Sequence, residues 1–431
     1  MKNLNRRDFV KGTAGALAAG QLIGTSRSWA GANDTIRIAV LGVHGRGQDH
    51  IEAHQAEPNV EVAALCDPDR KVLAERAAQF KEKYNKDVKT IVDLRDIFAD
   101  GSIDAVSIAT PNHWHALATI WACQAGKDVY VEKPGCHNLF EGRKMIEAAY
   151  KYRRIVQHGV QLRSSPALQE AVQLLRDGVI GNVYLARGLC FRTRPSIGKK
   201  PSAWVPDYLD YDLWLGPAQW RPYSENIVHY NWHWHWDFGN GDVGNQGVHE
   251  TDMCLWGLGV KTLPDQVCAM GGKFLWDDDK ETPEWLSTNY KFTQENKMIQ
   301  FETRPWITND EAGAGVGNIF YGEKGFMVVK GYGTFETYLG EDKKPGPRRS
   351  EEGNHFANFH KAVRSRNMAD QNGPVETIHL SSAIAHLGNI AYLTGATLQF
   401  DPRAERFINN EEANRHLSRK YREPFVVPET V

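Results

Sequence analysis

The sequence predicts two halves of different class: a doubly wound, parallel α/β half, then an α+β half built on a large, mostly antiparallel sheet with one open face. Three observations predict this. Short β-rich runs in the first half are each followed by a loop and a helical stretch. The first of these runs empties directly into a glycine turn. Beyond Ile155 the alternation gives way to well-spaced β-rich runs with few helices between them.

The chain of 431 residues balances 51 Lys and Arg against 53 Asp and Glu, a net charge of -2. With a mean hydropathy well below zero, this excludes a polytopic membrane protein and a basic nucleic-acid binder, and no membrane span is expected. Six cysteines stand far apart without a C-x-x-C pair, so neither a disulfide scaffold nor a zinc ribbon is expected. Thirteen Trp is a high count, and large aromatics need either burial or a ligand face.

Residues 1–30 carry Arg6-Arg7-Asp8-Phe9-Val10-Lys11, a mildly apolar stretch from Thr13 to Gly24, and Ser28-Trp29-Ala30. This resembles a twin-arginine export signal cleaved after Ala30, which implies a protein exported already folded, as to a periplasm. The apolar stretch is too short to span a bilayer.

Residues 31–155 form the first half. The run Thr35 to Leu41 is a strand leading into Gly42-Val43-His44-Gly45-Arg46-Gly47 and a helical stretch over 48–56. Strand, glycine turn and helix is the order of a dinucleotide site, because the glycines let the backbone approach a pyrophosphate at a helix N-terminus. Gly42 and Gly47 hold the first and third fingerprint positions, with His44 at the second. A second strand, Val60 to Cys66, ends at Asp67, placed to accept from ribose hydroxyls. That favours NAD over NADP, although Arg70 stands nearby. A third strand, Ala105 to Ala109, delivers Thr110, Pro111, Asn112, His113 and His115; a fourth, Asp128 to Val131, delivers Glu132-Lys133-Pro134. In a Rossmann sheet these strand ends open on one crevice.

The glycine turn, Asp67, the Thr110-Pro111-Asn112 loop and Glu132-Lys133-Pro134 resemble the glucose-fructose oxidoreductase, inositol dehydrogenase and rhizopine-catabolism (Gfo/Idh/MocA) family, over nearly all of residues 34–402. The resemblance implies that Lys133 sits between nicotinamide and substrate. A lysine there has a depressed pKa and exchanges a proton with a substrate hydroxyl.

Residues 156–402 form the second half and 403–431 a tail. An extended run over 156–162 precedes a helix over 167–177 and a strand from Val183 to Phe191. β-rich runs stand near 266–275, 287–303, 316–322 and 326–339, and a mobile loop is expected from Gly340 to Gly353. Helices over 355–366 and 380–394 are expected to cover one sheet face. The open face invites a homodimer or tetramer.

In the resembled family an Asp precedes a catalytic His by four residues. His249 matches the His, and Asn245 stands where the Asp is usual. Asn keeps the hydrogen-bond reach but carries no charge, and Asp242 is placed to compensate. If Tyr230 to Asp237 is a strand, Trp232, Trp234 and Trp236 share one face and His233 and His235 the other. His-x-His with Asp237 or His249 suits zinc, but no third ligand stands at a diagnostic spacing and the family normally needs none, so no metal is expected. Trp232, His233, His235, Arg163, Asp242 and His249 are the expected carbohydrate contacts. The expected activity is hydride transfer between a sugar, polyol or glycoside and tightly held NAD, with Lys133, His249 and Asn245 as the catalytic set. The alternatives are an NAD-dependent glycosidase or lyase and a non-catalytic, NAD-retaining carbohydrate binder.

Overall fold

A computed structural model describes residues 35–431; the twin-arginine segment 1–30 lies outside the described residues. The strands β1 (Ile36–Leu41), β2 (Val60–Cys66), β3 (Lys89–Ile91), β4 (Ala105–Ile108), β5 (Asp128–Val131) and β6 (Val156–His158) form one sheet. Its order is β3-β2-β1-β4-β5-β6 and every pair is parallel. Both faces are covered, which is why β4 and β5 are buried at every residue. The order reverses between β1 and β4, and a crevice opens at that switch point, beyond the carboxyl ends of the strands.

Caps set the helices between these strands. Asp69 accepts from Val72 N to start helix Arg70–Tyr84, and Asn138 accepts from Glu141 N to start helix Leu139–Tyr152. Both helices end at a left-handed residue, Asn85 and Arg153.

The second sheet comprises β7 (Val183–Phe191), β8 (Gln266–Gly272), β9 (Trp285–Phe292), β10 (Lys297–Arg304), β11 (Val316–Gly322), β12 (Gly325–Lys330), β13 (Thr334–Leu339), β14 (Lys344–Ser350), β15 (Leu398–Asp401) and β16 (Arg406–Phe407). The order is β14-β13-β12-β11-β7-β10-β9-β8-β15-β16, and only β7 with β10 is parallel. Burial alternates along β9 and β10. One face packs Ile299, Phe301 and Phe320 against Val172, Leu255, Ile384 and Leu387 of the covering helices. The opposite face carries the Arg187, Glu302, Arg304 and Glu311 ion pairs and an aromatic row of Tyr321, Phe326 and Tyr338.

Four expectations are corrected. The segment 340–353 contains β14, an edge strand paired with β13. Its Lys344, Pro345, Pro347, Arg348 and Arg349 are the charges and prolines that keep an edge from recruiting another chain, a composition shared with loops. Helix His355–Ser365 does not cover the second sheet; Phe356 and Phe359 pack with Ile36, Ile38, Val60 and Tyr130 on the parallel one. The extended run expected over 156–162 ends with β6 at His158, and Gln161–Ser164 is a 3₁₀ turn. Asn231–Trp234 is also a 3₁₀ turn, not a strand, so the alternating Trp and His faces do not exist. The tail returns to the nucleotide half, where Phe425 packs edge-on to Trp114 at 5.4 Å.

Candidate functional site

A cleft of about 890 Å³ opens at the switch point and runs to the second sheet. Its floor is the turn after β1. Gly42 has φ +80°, and a Cβ there would lie 2.8 Å from both Ala109 O and Thr110 N. At Gly47 a Cβ would lie 1.8 Å from Gly42 O, so the turn closes only with glycine at both positions. Helix Arg46–Gln55 starts at Gly45 with no side chain capping it, leaving its first N–H groups for a ligand. This bare, polarised helix start fits the pyrophosphate of a dinucleotide, so Gly42, Gly45 and the backbone of Arg46 would hold it.

The polar walls are positioned by hydrogen bonds. Asp67 accepts from Val43 N at 2.9 Å and Asp69 N at 3.0 Å, which fixes its carboxylate at the β2 end of the cleft. Burial raises its pKa, and the two N–H bonds only partly oppose that. His44 stacks on His229 at 4.6 Å, and His229 Nε2 lies 2.8 Å from Asp69 Oδ2. The Arg46 guanidinium is turned aside to Glu132 at 2.8 Å and Asp49 at 3.0 Å. His115 ties two loops together, its ring nitrogens 2.6 Å from Pro134 O and 2.8 Å from Thr110 O. Asn112 Nδ2 donates to Asn240 Oδ1 at 3.2 Å, joining the nucleotide half to the segment before Asn245. Pro111 lines the cleft, and Thr110 Oγ1 is buried there without a protein partner.

Lys133, His249 and Asn245 converge at the other end. Lys133 Nζ donates to the Asn245 carbonyl and lies 3.3 Å from its Oδ1. Burial lowers the ammonium pKa, with the Glu132 carboxylate opposing. Burial also holds His249 well below the usual imidazole value, and the Lys133 charge adds to this, so the ring is neutral. Its Nδ1 has no protein partner. Gln246, which accepts from Arg192 at 2.6 Å, donates to Glu250 at 2.9 Å and to Tyr332 at 3.1 Å. Burial pushes the Glu250 carboxyl up to about 8.

Trp232 and His233 line the cleft, stacked on each other at 3.6 Å. Three expected substrate contacts lie elsewhere. Arg163 is spent in a two-pronged pair with Asp252 at 2.7 and 2.8 Å. His235 is buried toward Asn226 O and Glu281. Asp242 holds Arg194 by two bonds of 2.7 and 2.8 Å, and Arg194 rather than Asp242 reaches the cleft. Among the described residues, no three His, Cys, Asp or Glu side chains converge as a metal cage. Sequence reasoning missed Arg192, Arg194, Gln246 and Tyr332 as lining residues. The two arginines follow directly on the end of β7, and Gln246 follows Asn245, the only signals that pointed to them.

Replacing Asn245 by Asp would set a carboxylate beside Lys133 Nζ and raise the ammonium pKa. Any reaction that draws on the neutral amine would then have the acid limb of its pH profile moved to higher pH. A kcat-pH series on Asn245→Asp checks the shift.

Two family models match the chain: an oxidoreductase-family, NAD-binding Rossmann fold over residues 36–160, and an oxidoreductase-family C-terminal alpha/beta domain over 195–427. The levoglucosan dehydrogenase of Pseudarthrobacter phenanthrenivorans is 30% identical over 173 residues, 39% of this chain and 44% of that protein. A glycosyl hydrolase family 109 protein of Shewanella is 26% identical over 208 residues, 42% of this chain and 45% of that protein. The match thus spans less than half the length of either relative. Among solved structures, the aldose-aldose oxidoreductase from Caulobacter crescentus complexed with glycerol superposes with a TM-score of 0.66 at 17% identity. That superposition covers 85% of this chain and 100% of the other.

Proposed function

Because the chain belongs to the Gfo/Idh/MocA oxidoreductase family, we propose that it oxidises or reduces a hydroxyl or carbonyl carbon of a sugar, polyol or glycoside with NAD. The observation that carries the proposal is the half-buried Lys133 Nζ, held at Asn245 beside a neutral His249 in the same cleft as the glycine turn. NAD, when bound, supplies a hydride acceptor or, once reduced, a donor. Lys133 takes the hydroxyl proton in oxidation and returns it in reduction, and its lowered pKa eases the loss of its own proton before it acts as the base. His249 offers a bare ring nitrogen to orient a substrate hydroxyl, and Trp232 offers an aromatic face to the ring. Arg192, Arg194 and Tyr332 bring further donors to that end.

Assaying the purified protein on a panel of sugars, polyols and glycosides tests the reading. NADH absorbance without bond cleavage supports it; inertness toward every member with NAD and with NADP overturns it. The likeness to the glycosyl hydrolase family 109 protein supports a second reading, glycoside cleavage by transient oxidation, elimination, hydration and reduction. Release of aglycone with no net NADH would select it. Retention of nucleotide without turnover of any sugar would select the non-catalytic binder.

The preference for NAD rests on Asp67. Asp67→Asn keeps an acceptor for one of the two neighbouring N–H groups, turns an amide NH2 toward the other, and removes the charge that opposes a 2'-phosphate. Discrimination against NADP is expected to fall roughly 10- to 100-fold, the effect of one charge at a few ångströms in a partly solvated site. Titrating both nucleotides by fluorescence checks it.

The twin-arginine motif supports export, and an exported dehydrogenase lacking a dissolved NADH pool would hold its nucleotide and alternate oxidation with reduction. Nucleotide co-purifying with the protein at one per chain supports this; apoprotein that binds NAD weakly rejects it. The aromatic row Tyr321, Phe326 and Tyr338 on the uncovered sheet face supports a homo-oligomer, readable by light scattering.

A further inference from the structure

Helix Arg46–Gln55 turns two histidines, His50 and His54, toward the parallel sheet, where apolar side chains are usual. Both are fully buried, as is Ser107 of β4, and His360 of helix His355–Ser365 is 1% exposed. Four side chains from three elements form an unbranched string. His50 Nε2 lies 3.1 Å from Glu132 Oε1, and His50 Nδ1 lies 2.8 Å from Ser107 Oγ. Ser107 Oγ lies 2.8 Å from His54 Nε2, and His54 Nδ1 lies 2.8 Å from His360 Nε2. The far end, His360 Nδ1, stands 4.0 Å from Glu57 Oε2, whose side chain is 17% exposed. Tyr130, Phe356 and Phe359 pack edge-on around the rings and exclude water.

A neutral imidazole has one N–H, so each ring donates from one nitrogen and accepts at the other. Burial holds the His50 and His54 rings below the usual imidazole value, and burial with the Arg364 charge lowers His360 to about 3, so all three are neutral. Burial alone would raise the Glu132 carboxyl, but Arg46, His50 and Lys133 hold it well below the usual range. An ionised Glu132 can only accept. His50 therefore donates from Nε2, Ser107 donates to His50 Nδ1, His54 donates from Nε2 to Ser107, and His360 donates from Nε2 to His54. Every hydrogen bond points toward Glu132, and His360 Nδ1 is left bare, buried and without a partner.

We propose that Glu132, His50, Ser107, His54 and His360 are a proton wire between the cleft and Glu57, working alongside Lys133 in the proposed reaction. Glu132 and Lys133 both line the cleft, and the proposal requires a proton to cross between them there. The helix of 10 residues carries the wire about 15 Å from the glycine turn, leaving a path open when ligands fill the cleft. In the resting orientation the wire delivers inward. A proton arriving at the Glu57 end bonds to His360 Nδ1, each group passes its own proton to the next, and Glu132 ends as the carboxylic acid. No proton is created or lost, but every hydrogen bond now points outward. The next passage must therefore run from Glu132 to Glu57. One proton in for carbonyl reduction and one proton out for alcohol oxidation reset the wire without turning a packed ring, which suits an enzyme that alternates the two on one retained nucleotide.

The inference rests on the oxidoreductase reading, and two measurements separate their failures. Nitrogen-15 NMR of the resting protein needs no turnover: it is expected to show His50, His54 and His360 protonated on Nε2, and Nδ1–H on His50 or His54 overturns the wire. Single-turnover carbonyl reduction with a pH-indicator dye then follows proton uptake in folded Ser107→Ala and His360→Gln. Each is expected to slow uptake about tenfold, less than the roughly 10²–10⁴ of a direct acid–base group. The solvent deuterium effect should rise, and added imidazole should rescue His360→Gln at the surface end but not Ser107→Ala in the buried middle. Wild-type uptake rates in either variant, or equal rescue of both, overturn the wire. Absence of any turnover by the wild type overturns only the oxidoreductase reading.

Discussion

Replacing Lys133 by Ala is expected to lower kcat by roughly 10²- to 10⁴-fold, the usual contribution of a positioned acid–base group. Nucleotide content should stay at the wild-type level, because the proposed nucleotide cradle is the glycine turn with Asp67. Among the described residues, the hydrogen-bond partners of Lys133 Nζ are the carbonyl and side chain of Asn245, so its loss removes no side-chain hydrogen bond of the nucleotide half. KM for the sugar should change less than kcat, since the lost interaction is made with a proton in transit. Full activity of Lys133→Ala on every substrate that the wild type turns over would reject the catalytic role. An inert wild type with nucleotide bound would instead favour the binding-protein reading.

The second large effect is expected at Gly47. A methyl group there would overlap Gly42 O, 1.8 Å away, and that oxygen belongs to the turn that approaches the pyrophosphate. Neither atom can yield without opening the turn, because Gly42 is itself held by its N–H bond to Cys66 O at 2.8 Å. Overpacking of this kind costs about 1–3 kcal/mol or more, so Gly47→Ala is expected to weaken NAD binding at least about 10- to 100-fold. Calorimetry on the stripped protein reads the affinity, and a circular dichroism melt shows whether the fold survives. Wild-type affinity would reject the assignment of this turn as the dinucleotide cradle. Lys133→Ala with nucleotide but no turnover, and Gly47→Ala with neither, would separate chemistry from binding within one cleft.

The nucleotide half was legible because its signals are local. A strand, a glycine turn and a helix are contiguous in sequence, and Asp67 and Lys133 each follow directly on a strand whose end must face the crevice. The second half was less so. The Trp and His run reads as a strand by alternation, yet it closes as a 3₁₀ turn because His233 Nδ1 bonds back to Tyr230 O at 2.5 Å and Gly239 packs on the His233 backbone. Arg163 reads in the sequence as a hydroxyl donor, but Asp252, 89 positions away, holds it.

By itself, then, the sequence determined the parallel nucleotide-binding half and the large open sheet, and it singled out as candidates Gly42, Asp67, Lys133, Asn245 and His249, which line the cleft, and Gly47, which closes the turn. Those features follow from period, turn chemistry and strand-end position, all encoded within short windows. Only the tertiary structure decided which Trp, His and Arg side chains face the cleft, that Lys133 rests on Asn245, and that helix His355–Ser365 lies on the parallel sheet. That last docking brings His360 to His54 across 306 positions and completes the buried string. A histidine in sequence does not state its partner: whether it is ligand, relay or packing is set by the groups that bury it, and burial is a property of the whole fold.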